Sequence, residues 1–210
     1  MLSSAGAVVT EADSRLDQLA DLSPLVSAAC GGDDEAFRAL YRSVQPGLLR
    51  YLRGLVGDEA EDVASEAWLQ IARDLRSYRG DGAGFRGWAA SIARHRAMDH
   101  LRQHRRRPAA PTPIEHFIQL PGDSDTAARA IEAQSTYATI AWIATLPREQ
   151  AEAILLRVVA GLDAETAAQV LGKRAGAVRT AAYRGLRRLA QQFDRADVTK
   201  TQASTPRDTR

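Results

Sequence analysis

Apolar residues recur every three or four positions along most of the chain, and this spacing predicts an all-α protein. In residues 58–75 the repeat is carried by Val63, Ala67, Ile71 and Leu75. The same period continues through residues 85–106 and returns in residues 147–160. We therefore expect amphipathic helices that bury one face each.

Caps, glycines and prolines indicate where these helices begin and end. In the first half they predict helices over residues 23–30, 33–44, 46–57, 58–75 and 85–106, with Pro46 opening the third and an Asp58–Glu61 capping box opening the fourth. In the second half they predict helices over residues 125–142, 147–160, 163–171 and 175–193, with Asp163 as a cap and Gly172 in the last turn.

A proline-bearing stretch without helical period, "PAAPTPIEHFIQLPGDS", occupies residues 108–124 and is interpreted as a linker. It divides the chain into two small helical domains, residues 23–107 and 125–194. Residues 1–22 and 195–210 show no clear period and are expected to be mobile tails.

Composition agrees with closely packed helices, because 45% of residues are hydrophobic while only 6% are aromatic. The formal net charge is only +2, so the charge of the whole chain does not by itself indicate a nucleic-acid partner. Cys30 is the sole cysteine, which excludes a disulfide within the chain and suits a reducing cytoplasm. The apolar runs are too short for membrane insertion. We expect a cytoplasmic protein.

The last two predicted helices have the spacing of a helix-turn-helix. Val178, Ala182, Gly185 and Leu189 form the inner stripe of the second helix, so the small size of Ala182 and Gly185 is expected to be structural. The residues off this stripe are Arg179, Thr180, Tyr183, Arg184, Arg187 and Arg188. A solvated basic helix would show the same charge. The support helix and the glycine turn favour DNA binding.

Opposite charges are segregated in the first half. Glu59, Asp62 and Glu66 lie along one helix face, which placement near a helix amino terminus could partly explain. The following helix carries six arginines, namely Arg94, Arg96, Arg102, Arg105, Arg106 and Arg107, with His95, His100 and His104 among them. This density of cations favours nucleic-acid contact over a solvated helix end.

Between these two helices, the loop "SYRGDGAGFRGW" places Tyr78, Phe85 and Trp88 beside Arg79 and Arg86. Aromatic rings next to arginines can stack on unpaired bases and bind phosphate. Phe85 and Trp88 also fit the core stripe of the following helix, so a core role stays open. We expect no cofactor and no metal, since the histidines lack zinc-site spacing.

Taken in order, four features resemble the extracytoplasmic-function (ECF) sigma factors, small bacterial initiation factors of the sigma-70 family. They are "EAEDVASEAWLQIARDLRSYRG", "FRGWAASIARHRAMDHLRQHRRR", the linker, and "LPREQAEAILLRVVAGLDAETAAQVLGKRAGAVRTAAYRGLRRLA". The resemblance covers about residues 25–193. It implies a subunit of RNA polymerase holoenzyme whose first domain melts the minus-ten element and whose second recognises the minus-thirty-five element. It implies no enzymatic activity of its own.

The resemblance also implies partners and residues. The partners are the beta-prime clamp helices and beta flap of RNA polymerase core, promoter DNA and, in many members, an anti-sigma factor. Asp62 and Glu66 match the core-binding face. The minus-ten residues are Tyr78, Arg79, Phe85, Trp88, Arg94, His95 and Arg102. The minus-thirty-five residues are Arg179, Thr180, Tyr183, Arg184 and Arg188. Ser65, His95 and Ala181 depart from the residues that the family often has, namely Gln, Asn and Arg.

Two other functions remain open from the residues alone. One is a helix-turn-helix regulator that acts without polymerase, with the first domain as a sensor or dimerisation unit. The other is a helical hydrolase or metal-dependent enzyme with histidine ligands. The acidic helix over residues 58–75 distinguishes the first from a sigma factor, because only a sigma factor needs it to bind polymerase core. Metal analysis tests the second.

Overall fold

A computed structural model describes residues 21–106 and 138–203, which form helices and no strands. The first unit contains α1 (Ser23–Cys30), α2 (Asp34–Val56), α3 (Ala60–Asp74) and α4 (Gly82–Arg106). The second begins with a helical segment at 138–144 and continues with α5 (Arg148–Ile154), α6 (Ala164–Leu171) and α7 (Ala175–Ala203). The predicted linker, most of the predicted helix 125–142 and most of the predicted amino-terminal tail lie outside the described residues.

The core of the first unit contains the stripe predicted for residues 58–75. Val63, Ala67, Ile71 and Leu75 are all buried on the inner face of α3. Leu40, Leu48 and Leu52 of α2 and Phe85, Ala89 and Ala93 of α4 complete it. The helical period therefore identified the faces that pack together.

The prediction of a helix break at Pro46 was wrong, because α2 runs through it without interruption. Val44 and Leu48, on either side of the proline, are buried in the same core, and Gln45 accepts a hydrogen bond from Trp68 Nε1 at 2.6 Å. Packing on both sides therefore outweighs the loss of one backbone hydrogen bond.

The predicted capping box at Asp58 and Glu61 is also absent. A 3₁₀ turn over Gly57–Glu59 leads into α3, which begins without a side-chain cap. Glu61 instead pairs with Arg53 of α2 at 3.0 Å. The carboxylate thus joins two helices rather than closing the end of one.

The second unit forms the predicted helix-turn-helix. Asp163 accepts a hydrogen bond from Thr166 N at 2.8 Å and caps α6, and Gly172 ends α6 with a φ of 64°. A positive φ at this position suits glycine because it has no Cβ. Two details differ from the prediction. The helix after Pro147 changes to π geometry over Leu155–Val159, and α7 continues to Ala203, since no proline or glycine follows Phe193 until Pro206.

The two units pack directly against each other. α4 contacts α6, and the π segment contacts α2. Glycines permit the close approach: a Cβ on Gly54 would lie 2.5 Å from Leu155 Cδ1, and one on Gly87 would lie 2.3 Å from Thr166 Cγ2. The buried residues of both units consequently form one continuous apolar cluster.

Candidate nucleic-acid interface

The outward face of α7 presents the predicted minus-thirty-five residues to solvent. Thr180, Tyr183, Arg184 and Arg188 are exposed. Arg179 is exposed too and forms an ion pair with Glu165 of α6. Within residues 175–193 this helix has four arginines and no acidic residue. The face can therefore contact phosphates and base edges over several turns.

The inner face of α7 explains the small residues. Ala182 and Gly185 are buried, and a Cβ on Gly185 would lie 2.6 Å from Ile154 Cδ1 and 3.2 Å from Gln150 Cβ. Their predicted structural role is confirmed. Helices α5 and α7 can approach closely only because these two side chains are small.

A groove of ≈ 600 Å³ lies between the start of α5 and the first turns of α7. Arg148, Thr180, Ala181 and Arg184 are among its lining residues. Ala181 is partly buried and lies at the wall of this groove between the two helices. Glu149 also lines the groove, and Arg148 on its α5 side is paired with Glu152, so the groove carries charges of both signs.

The three aromatic residues of the first unit form one cluster. The centroid of the Tyr78 ring lies 4.9 Å from that of Trp88 and 5.7 Å from that of Phe85. Phe85 is fully buried and offers no surface to a ligand in this conformation, whereas Tyr78 and Trp88 are half-buried. Phe85 thus supports the other two rings from beneath.

Tyr78 is held as a hydrogen-bond donor. Its hydroxyl donates to the carbonyl oxygen of Asp81 at 2.9 Å. Burial, and secondarily the charge of Asp81, raise the pKa of Tyr78 to about 12, so it is neutral at physiological pH. Arg79 is exposed, and its guanidinium donates to the carbonyl oxygens of Arg76 and Tyr78. The loop therefore places one cation beside the aromatic cluster.

The predicted residues of α4 are in different environments. His95 and Arg102 are exposed, and Arg102 pairs with Asp99 at 2.9 Å. Arg94 is mostly covered and pairs with Glu152 of the second unit at 3.0 Å. The structure therefore does not bring Arg94 to the surface together with the aromatic cluster.

Asp62 and Glu66 are both exposed on α3, as an acidic docking face requires. Ser65, between them, donates its hydroxyl to the carbonyl oxygen of Glu61 at 2.9 Å and so points along the helix. Leu69, one turn further, is 59% exposed and was missed by the sequence reasoning. The sequence does indicate this exposure, since Leu69 lies off the buried stripe of Val63, Ala67 and Ile71.

Glu152 is the second residue that the sequence reasoning missed. It is buried and each of its carboxylate oxygens accepts from a different arginine, Arg148 at 2.7 Å and Arg94 at 3.0 Å. Its only sequence signal is an acid inside an apolar run.

Among the described residues, no group of three His, Cys, Asp or Glu side chains could hold a metal ion. None of the described helices has the length and apolarity needed to cross a bilayer.

Comparison with known proteins defines the class to which this arrangement belongs. Residues 40–107 match the family model of sigma-70 region 2, and residues 139–189 match that of sigma-70 region 4. The first matched range contains the acidic face and the aromatic cluster, and the second contains the helix-turn-helix. The class is thus a two-domain sigma-70-type factor.

Curated relatives narrow this class. ECF RNA polymerase sigma factor SigD of Mycobacterium tuberculosis is 35% identical over 180 residues, which cover 82% of this chain and 84% of SigD. ECF RNA polymerase sigma factor ShbA of Streptomyces griseus is 34% identical over 184 residues, which cover 83% of this chain and 96% of ShbA. The chain belongs to the ECF RNA polymerase sigma factors, a family of transcription initiation factors and not of enzymes.

Solved structures agree on the fold. The sigma factor RpoE of Bartonella quintana, in complex with the anti-sigma factor NepR, superposes with a TM-score of 0.61 over 75% of this chain and 96% of RpoE, at 21% identity. CnrH, in complex with the cytosolic domain of CnrY, superposes with a TM-score of 0.57 over 82% of this chain and 96% of CnrH, also at 21% identity.

Proposed function

We propose that this sigma factor directs RNA polymerase core to promoters by recognising the minus-thirty-five element with α7 and opening the minus-ten element with α4 and the aromatic cluster. The observation that carries the proposal is the outward face of α7, which presents cations without an acidic residue over residues 175–193. Family membership favours this function over a regulator that acts without polymerase. Bond formation then belongs to the polymerase and not to this chain.

The two units are assigned different DNA because one must bind intact duplex and the other an unpaired strand. α7 meets intact duplex, whose phosphates and base edges suit exposed arginines. The minus-ten strand must be unpaired, and unstacking a base costs a few kcal/mol. Stacking on Tyr78 or Trp88, beside the cation of Arg79, offsets that cost. His95 and Arg102 extend the same cationic side along α4.

We assign core binding to the acidic face of α3. Asp62 and Glu66 project into solvent with Leu69 one turn away, so the face combines two charges with an apolar contact. In protein interfaces such charges set orientation and association rate, while the apolar centre contributes binding energy. The beta-prime clamp helices are the partner assigned to this face, and the beta flap is assigned to the second unit. RpoE of Bartonella quintana is in complex with the anti-sigma factor NepR, and such a partner is proposed here as well.

The experiment is run-off transcription with purified core polymerase on pooled genomic fragments of the host bacterium. Transcripts that depend on this chain establish the function and give the promoter sequences. The variant Asp62→Ala with Glu66→Ala should lose co-purification with core. A control variant, Asp34→Ala with Glu35→Ala, makes the same charge change at exposed positions of α2 and should keep it. Equal co-purification of both variants would show that α3 is not the docking face.

A further inference from the structure

One buried carboxylate links the two units. Glu152 belongs to the second unit, but among the described residues one of its oxygens accepts hydrogen bonds only from Arg94 of the first. A buried charge that loses a partner is strongly destabilising, because desolvation is no longer compensated. Glu152 is therefore fully paired only while the units are packed together, and separation must release its carboxylate to water.

The surfaces around this ion pair fit closely. Gly54 and Gly87 of the first unit lie against Leu155 and Thr166 of the second, without room for a Cβ on either glycine. Tyr51 of α2 is fully buried in the same region. Burial first, and then the negative charge of Glu152, raise the pKa of Tyr51. The contact is thus a packed interface rather than a loose encounter.

The packed interface covers part of one predicted DNA-binding face and leaves the other free. Arg94 retains 22% of its side-chain exposure, and Arg148 of the second unit contacts Met98 one turn further along α4. Arg184 and Arg188 of α7 remain exposed. The second unit therefore occupies part of the α4 face assigned above to minus-ten DNA, while the face assigned to minus-thirty-five DNA stays accessible.

We propose that this packing is a closed, inactive state in which the Glu152 carboxylate binds Arg94 in place of a DNA phosphate. The inference rests on the proposed function, since it concerns the face of α4 assigned to minus-ten DNA. Anything that engages this face must first displace the carboxylate and lift α5 and α6 from α4. The ion pair acts as a latch because carboxylate and phosphate compete for the same guanidinium.

The interface offers a site for a covalent lock. A Cβ on Gly87 lies 3.7 Å from Thr166 Cβ, within the range of about 3.5–4.5 Å found in disulfides. Cysteine at position 166 also removes the Thr166 methyl group that a side chain at Gly87 would meet. The variant is Gly87→Cys with Thr166→Cys in the full chain, with Cys30→Ser to remove the native thiol. Each single cysteine variant in the Cys30→Ser background serves as a control.

Disulfide formation is followed by non-reducing electrophoresis, and function by the run-off assay with core polymerase. We expect the disulfide to form readily, the oxidised protein to lose transcription by on the order of tenfold or more, and reductant to restore it. The single cysteine controls should respond to neither treatment. Failure of the disulfide to form, or full transcription by the quantitatively oxidised protein, overturns the closed state. Absence of transcription from the wild-type and reduced proteins would instead contradict the proposed function, while the gel still reports whether the units pack.

Discussion

At the scale of single residues, we expect the arginines of α7 to take two different chemical roles in DNA binding. Arg184 lines the groove between α5 and α7, whereas Arg188, one turn later, lies outside its lining. A guanidinium that reaches a guanine edge discriminates between sequences, but one that reaches phosphate does not. Removing these two side chains should therefore change the affinity for specific and random DNA in different ways.

Arg184→Ala should weaken binding to the specific promoter by roughly 1–3 kcal/mol and affect random duplex less. Arg188→Ala should weaken both about equally and reduce the salt slope of log K by about 1. Equilibrium binding of holoenzyme to promoter and random duplexes across a salt series measures both effects. Parallel losses on the two duplexes for both variants would contradict this division.

Two glycines of α7 test the packing argument at the same scale. Gly185→Ala should destabilise the protein by about 1–3 kcal/mol, because the new Cβ meets Ile154 and Gln150. Gly176→Ala should stabilise it by up to about 1 kcal/mol, since the new Cβ meets no atom within 4 Å beyond its chain neighbours and the nearby backbone of α7, and alanine favours the helix. Urea unfolding of both variants gives the comparison. A stabilising Gly185→Ala would mean that α5 and α7 are less closely packed.

At the scale of elements, the cap of α6 holds the turn that orients α7. Partial burial alone would raise the pKa of Asp163, but the hydrogen bonds from Thr166 outweigh it and the pKa lies below its ordinary value. The folded state therefore binds a proton less readily than the unfolded state. The contribution of the Asp163 carboxylate to stability is complete above its pKa in the unfolded chain. It is lost as the pH falls through the lower pKa of the folded state.

Asp163→Ala should accordingly lower the free energy of unfolding by about 1 kcal/mol at pH 7. The difference between the variant and the wild type should shrink as the pH is lowered below 4, where the wild-type carboxyl becomes protonated. Denaturant titrations at neutral and acidic pH measure this. A difference that does not change with pH would assign the effect to something other than the charged cap.

How far the sequence predicts an element depends on whether its cause is local. The cap at Asp163 and the turn at Gly172 are set by neighbouring residues, and both were predicted. Pro46 was interpreted as a helix start, because its effect on the backbone is local while the packing of Val44 and Leu48 that overrides it is not. Glu152 and Gly87 obtain their roles from residues far away in the chain, so no local pattern indicates them.

At the scale of the whole molecule, the latch predicts a change in shape on loss of one charge. Glu152→Gln keeps the size of the side chain but weakens its bonds to Arg94 and Arg148, so the two units should separate more often. Small-angle scattering of the full chain should show a larger radius of gyration. In the double cysteine variant, the same substitution should slow disulfide formation.

Glu61→Gln is a control for the loss of an ion pair within one unit, although Glu61 is exposed where Glu152 is buried. It removes an ion pair of similar length, that with Arg53, but both partners belong to the first unit. The radius of gyration and the disulfide rate should stay at their wild-type values. If the two substitutions alter the shape equally, the effect is general destabilisation and not opening of the interface.

The glycine contacts between the units also have a thermal consequence. Separating Gly54 from Leu155 and Gly87 from Thr166 exposes mainly apolar surface, and hydration of such surface raises the heat capacity. The opening equilibrium should then vary with temperature along a curve, with the hydrophobic part of the closed packing weakening on cooling. The fraction of this sigma factor ready for promoter DNA would thus depend on temperature even at a constant amount of protein.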